Sequence, residues 1–254
     1  MEKKPKTKTL QSVETTFELI EYLRKTNGAG VSQIEQALGI PKSTAHVHLN
    51  TLEQSGYLVN NDGKYHVGLG FLELGESARN REQIYNLGRS EVEKLANETG
   101  ELASMMIAEH GKGVYIHRSR GDQAILADTQ AGQKVDIHCR AAGKAILAQL
   151  PEDEVVEIIE THGLPRKTDE TIATRSDLFQ ELGEIRDQGI AFDDGEQLDG
   201  LRCVAAPVTA SGAVAGALSV SGPKGRLRGE RFEEWLPEII LSAANVIEIN
   251  LSYS

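Results

Sequence analysis

Residues 31–59 read VSQIEQALGIPKSTAHVHLNTLEQSGYLV, two short helical patterns broken by a glycine. Val31, Ile34 and Leu38 share one stripe of a helix that stops at Gly39. The chain restarts at Pro41-Lys42-Ser43 and continues with Ala45, Leu49 and Leu52 facing inward. This is helix-turn-helix spacing. Past Gly56, the run Tyr57-Leu58-Val59, the polar turn Asn60-Asn61-Asp62-Gly63 and the run Lys64-Tyr65-His66-Val67 read as a β-hairpin, so a wing follows the second helix. Ahead of this motif, Val13, Phe17, Ile20 and Leu23 lie on one helical face and predict a first helix over 11–25 that covers its core.

The second helix presents Lys42, Ser43, Thr44, His46, Val47, His48, Asn50 and Thr51 outward, with Lys64 on the wing. Small and polar groups in this arrangement can approach phosphates and base edges, which points to double-stranded DNA. A helical hairpin of the same spacing can instead serve protein interaction, and that second reading stays open here. Lys3, Lys4, Lys6 and Lys8 form a basic arm over residues 1–9, read either as a disordered, solvated tail or as a strap along a phosphate backbone.

The net charge of −11 argues at first against nucleic acid, but its distribution removes the objection. Residues 1–75 hold 8 Lys/Arg against 8 Asp/Glu, and residues 76–254 hold 19 against 30. The acidity belongs to the second half of the chain. Its 254 residues accommodate two ordinary domains. No apolar run approaches a membrane span and Met1-Glu2-Lys3-Lys4-Pro5 does not open a signal peptide, so the expectation is a cytoplasmic protein without membrane contact. Cys139 and Cys203 lie far apart without ligand spacing, so neither a disulfide framework nor a structural zinc is indicated.

The expected domain plan is a winged helix-turn-helix over 10–70, linker helices over 71–99 that make a dimer contact, and a second domain over 100–254. In that domain, strands are read at 102–108, 114–117 and 124–127 and again at 204–209 and 213–220, with Ser211-Gly212 as a tight turn. Helices are read at 141–150, 152–161, 175–188 and 228–250. Two strand groups enclosing helices point to an α+β sensor domain.

Signs of catalysis are few. There is no GxSxG, HExxH or GxGxxG. Gly143-Lys144 imitates the end of a phosphate loop, but His138 stands five before Gly143 and Ala145 follows Lys144, so the pattern fails twice. Asp193, Asp194 and Glu196 read as a solvated acidic turn, His117 and His138 as hydrogen-bonded core or pocket residues, and Cys203 as a small buried hydrophobe. No catalytic residue, metal site or cofactor is assigned, and the expectation is a non-enzyme.

Four segments together resemble the IclR family of transcriptional regulators: Pro41-Lys42-Ser43-Thr44-Ala45-His46, Ala142-Gly143-Lys144-Ala145-Ile146-Leu147-Ala148, residues 200–208 (GLRCVAAPV) and residues 217–223 (ALSVSGP). The resemblance spans nearly the whole chain. It implies a winged helix-turn-helix, a linker helix and a GAF-like α+β effector-binding domain, assembled as a homodimer or homotetramer on a (near-)palindromic operator. It also implies a small organic acid or sugar-derived effector.

The resemblance places the effector at Ala141 and Ala142, Asp193 and Cys203, and Ser219 and Ser221, with Ala127 and Val135 as apolar lining. Backbone N–H groups near Ala141 would favour a carboxylate, which makes an anionic ligand the expected class. Two residues depart from the family's habit. Val47 replaces an arginine and trades a phosphate or guanine contact for apolar contact with a thymine methyl. Arg140 stands where relatives carry a small polar residue, and either pairs with a ligand carboxylate or lies on the surface with its stem packed.

Overall fold

The computed structural model describes residues 8–125 and 130–253 and divides into two compact units after Ala78. The basic arm over 1–9, apart from its last two residues, and the strand end at Leu126 and Ala127 lie outside the described residues.

In the first unit, helices α1 (Gln11–Thr26), α2 (Val31–Leu38) and α3 (Lys42–Gln54) precede the hairpin β1 (Leu58–Asn61) and β2 (Lys64–Val67). The wing pairs Leu58 with Val67 and Asn61 with Lys64. Asp62 and Gly63 both take positive φ, the two-residue turn whose twist matches that of the strands. Ala29, between α1 and α2, bridges Tyr65, so a third chain segment joins the wing. Leu19, Leu23, Ile34, Ala45, Leu49, Leu58 and Tyr65 form the core.

The face expected of α1 requires correction. Leu23 is buried as expected, but its partner is Leu19, while Val13 and Phe17 are 47% and 61% exposed. The helix carries two stripes at the same 3–4 spacing, and periodicity cannot say which one meets α2 and α3. The span predicted as a linker, 71–99, also divides. Helix α4 (Gly70–Asn80) crosses the boundary between the units, whereas α5 (Gln83–Thr99) buries Ile84, Val92, Leu95 and Ala96 in the core of the second unit.

The second unit is one antiparallel six-stranded sheet in the order β5-β4-β3-β8-β7-β6. Its strands are β3 (Leu102–Glu109), β4 (Lys112–Arg120), β5 (Lys134–Val135), β6 (Ala191–Asp194), β7 (Leu201–Ala210) and β8 (Ala213–Pro223). The two expected strand groups therefore merge, because Leu102 of β3 pairs with Ser221 of β8. Two-residue turns at His110-Gly111 and Ser211-Gly212, each with both φ positive, close the β3–β4 and β7–β8 hairpins.

Two strand assignments change. Ala124 and Ile125 are irregular rather than strand, and Asp193-Asp194 belong to β6 rather than to a solvated turn. Aspartate is depleted in strands, so the local sequence disguised an edge strand that pairing with β7 imposes.

Helix α5 and helix α9 (Leu236–Ser252), the latter entered through a π-helical turn at Arg231–Trp235, cover one face of the sheet. Helices α6 (Ala141–Leu147), α7 (Glu152–His162) and α8 (Arg175–Gln188) close the other. Gly143 is required in α6 because a Cβ there would stand 1.9 Å from the Ile137 carbonyl oxygen.

Candidate functional site

On the first unit, Lys42, Ser43, Thr44, His46, Val47, Asn50 and Thr51 of α3 are exposed, as is Lys64 at the start of β2. Val47 is 66% exposed, an aliphatic side chain in a polar row. His48 departs from that row: it is half-buried, with Nδ1 2.7 Å from Thr16 Oγ1 on α1. It sits beside the inward stripe of Ala45, Leu49 and Leu52, one residue before Leu49, so it turns toward α1. Thr51 donates its hydroxyl to the Val47 carbonyl at 2.7 Å.

On the second unit, the side chains named for effector binding converge on the face covered by α6 and α8. The register places Asp193 opposite Cys203 and Cys203 opposite Ser221, while Ser219 pairs with Ser104 on its other flank. Residues directly opposite in a ladder share a face. Asp193, Cys203, Ser219, Ala141, Ala142 and Val135 are buried, and Ser221 and Arg140 half-buried. Ser221 donates its hydroxyl to Cys203 Sγ at 3.2 Å. Ala127 lies outside the described residues.

Arg140 is half-buried and lines an open cleft, and its Nη1 donates to the Tyr115 hydroxyl at 3.1 Å. Burial, and then Asp193, push the Cys203 thiol up to about 11, the opposite of what a nucleophile needs. His138 is buried with Nε2 3.2 Å from the Pro165 carbonyl oxygen, and half-buried His117 lies beside Glu93 and the Tyr85 ring. Burial holds both imidazoles below their usual pKa.

Sequence reasoning passed over a charged cluster behind this face. Lys144, 1% exposed in the all-apolar turn of α6, donates to Glu181 of α8 at 2.7 Å and makes a very short contact with Glu196. Burial alone would lower the Lys144 pKa, but Glu196 and Glu181 raise it overall, so the ammonium is retained. Burial lifts Glu196 above the ordinary carboxylate range despite Lys144. It lifts Asp193 to about 6 even though the Glu196 amide donates to Asp193 Oδ1 at 2.7 Å. The acids read as a solvated turn are thus 3% (Asp193) and 7% (Glu196) exposed. A lysine inside an otherwise apolar helix was the available signal, since such a group is buried only with partners.

A surface concavity of about 1140 Å³ lies at the far end of the sheet around Ile107, His110, Ile146, Glu154 and Ala210, away from these residues. A smaller open cleft of about 440 Å³ reaches Val135, Cys139 and Arg140.

The chain matches the IclR helix-turn-helix domain over residues 12–62 and the bacterial transcriptional regulator IclR C-terminal domain over residues 77–249. This chain belongs to the IclR family of transcriptional regulators. A probable HTH-type transcriptional regulator ArcR from Halobacterium salinarum is 32% identical over 95% of this chain and 94% of its own length. The crystal structure of the Thermotoga maritima IclR superposes with a TM-score of 0.80 at 28% identity, covering 96% of this chain and all of that one. An IclR homologue from Microbacterium hydrocarbonoxydans, solved with 4-hydroxybenzoate, shares the fold with a TM-score of 0.82 at 23% identity over 96% of this chain and all of that one. The family assigns a DNA-binding helix-turn-helix and a C-terminal effector domain to the two units described above. No helix among the described residues is long and apolar enough to cross a membrane.

Proposed function

We propose that this regulator binds a (near-)palindromic operator as a homodimer or homotetramer and changes its affinity when a small anionic metabolite occupies the α6-covered face of the second unit. The observation that carries the ligand assignment is Arg140. It donates to Tyr115 on the sheet face that holds Cys203, Ser219 and Ser221, where a guanidinium and hydroxyls can hold a carboxylate. Ala141, Ala142 and Val135 supply the apolar wall. On the first unit, Lys42, Ser43, Thr44, His46, Asn50, Thr51 and Lys64 contact phosphates and base edges, and Val47 meets a thymine methyl.

Regulation is linkage: a ligand that prefers one arrangement of the subunits shifts the spacing of the paired winged helices against the half-sites. A tenfold change in operator affinity needs about 1.4 kcal/mol of such preference.

Selection of genomic fragments by the purified chain at fixed salt, repeated with a panel of small carboxylic and sugar acids, tests this reading. The expected result is a recurring palindrome whose occupancy one acid changes. Asn50→Ala should cost about 1–3 kcal/mol and relax sequence preference at one position. Salt-sensitive binding without any preferred sequence would instead favour a winged helix used for protein contact.

A further inference from the structure

Helix α9 carries two unlike faces. Inward, Leu236, Ile240, Ala243, Ala244 and Ile247 join the core, and Glu248 turns back onto β7, where its Oε1 accepts from the Thr209 amide at 2.6 Å and the Thr209 hydroxyl at 2.7 Å. Outward, Ser242, Val246, Ile249 and Tyr253 follow at steps of four, three and four residues, flanked by Leu241 and Asn245, and all six are exposed. Among the described residues, five large apolar side chains of the second unit are exposed: these four, Leu241, Val246, Ile249 and Tyr253, and Leu198. Apolar residues exposed singly need no account, whereas a continuous row on one helix marks a contact.

The charges point to what meets it. Residues 76–254 carry 30 acids against 19 bases, yet from Ile239 to Tyr253 the one charged residue is Glu248, which faces inward. A twofold contact sets a patch against its own copy, so a charge near the axis faces its like. Two copies of so acidic a unit meet at least Coulombic cost where the surface is uncharged. Glu238 is exposed at the start of the row, and antiparallel pairing sends its two copies to opposite ends of the contact. The same arrangement opposes the two helix dipoles.

Helix α5 supplies a rim. It packs closely beside α9, since a Cβ at Gly88 would stand 2.7 Å from Ile247 Cδ1, and it exposes Arg89, Glu93, Lys94 and Glu98. An uncharged centre with a polar edge of both signs is the anatomy of a protein interface. A helix of 17 residues is about 25 Å long, and a strip about 10 Å wide along it covers roughly 250 Å² per copy. That is short of the ~800 Å² per partner of a standard contact, so the α5 edge has to take part.

We propose that α9 is a self-association surface, on which two copies of this chain pair their α9 helices antiparallel about a twofold axis near Val246, with the α5 edges as rim. This rests on the reading of the regulator as a homodimer or homotetramer and assigns one of its contacts to the second unit.

Sedimentation of the full chain at micromolar concentration tests it. Val246→Glu and Ile249→Glu, each placing a charge where it meets its copy, should halve the mass of the assembly and weaken association at least tenfold. Circular dichroism and the urea midpoint should stay at the wild-type values, because both sites face solvent. Disulfide trapping gives a second readout that leaves the contact intact. Cys139 and Cys203 are buried, so an introduced thiol is the reactive one. Val246→Cys should yield a covalent dimer on mild oxidation, and Glu160→Cys, exposed on α7, should not.

An assembly that keeps its full mass in both glutamate variants, or equal trapping at Val246→Cys and Glu160→Cys, would overturn the α9 contact while leaving the oligomer standing. The row would then serve a different protein. A wild-type chain that sediments as a monomer at every concentration, with and without operator DNA, would overturn the oligomer and the α9 contact together.

Discussion

The two faces of the second unit's sheet are made by the same strands and differ in almost every other respect. Toward α5 and α9, β3, β7 and β8 present Ala103, Met105, Val204, Ala206, Val208, Leu218 and Val220, a layer of hydrocarbon. Toward α6 and α8, the alternate residues are Ser104, Met106, Cys203, Ala205, Ala217, Ser219 and Ser221, joined by Asp193, Tyr115 and Arg118 from β6 and β4, so polar groups are set among hydrocarbon. Period-two alternation lets one strand set serve both, since a substitution on one face leaves the other's side chains in place. Both faces bury hydrocarbon, and the mixed face offsets part of its share by keeping charges where water is scarce.

The sharpest way to break this contrast is Lys144→Met, which leaves Glu196 and Asp193 buried without their cation. It should cost about 3–5 kcal/mol, read as a lower urea midpoint at unchanged slope. Adding Glu196→Gln should recover much of the loss, because the two residues act as one unit. On the other face, Leu218→Ala, at a fully buried position, should cost about 2–5 kcal/mol, and the loss should stay constant between pH 5 and 8 because nothing titratable is disturbed.

Asp193→Asn should run the other way. The folded carboxyl titrates at about 6 against a usual 3.8, so its ionisation in the folded state opposes stability. That cost is absent below pH 4 and grows as pH rises through 6. The amide variant should gain up to about 3 kcal/mol at pH 8 and nothing near pH 3.5, in parallel urea titrations.

Asp136 gives the smaller and opposite effect. Burial alone would raise its pKa, but Lys112 at 2.7 Å and Lys167 at 2.6 Å outweigh it and hold the carboxyl at about 2. Its contribution is present above pH 4 and lost as pH falls toward 2. Asp136→Asn should therefore destabilise by about 1 kcal/mol at pH 7, in the range of a partly exposed ion pair, and by less in acid.

Elements closed by local chemistry were legible in the sequence. The Gly39 break, the wing turn and the Ser211-Gly212 hairpin each follow from a few adjacent residues. So did the helices over 152–161 and 175–188. What escaped depends on distant partners: the inward face of α1, the pairing of β3 with β8, the absorption of Asp193-Asp194 into a strand, and the burial of Lys144 against Glu196. On the face proposed for the effector, the family resemblance named the serines, Cys203 and Asp193. Tyr115 and Arg118 were missed because β4 reads simply as a strand until its register shows which residues turn toward α6.

The pairing of residue 102 with residue 221 also sets an order in time. A ribosome releases the first unit, whose contacts close within a few dozen residues, long before β8 emerges to complete the centre of the second unit's sheet. Local contacts form early and distant ones late. On each new chain, the helix-turn-helix unit takes shape while the second unit is still being made.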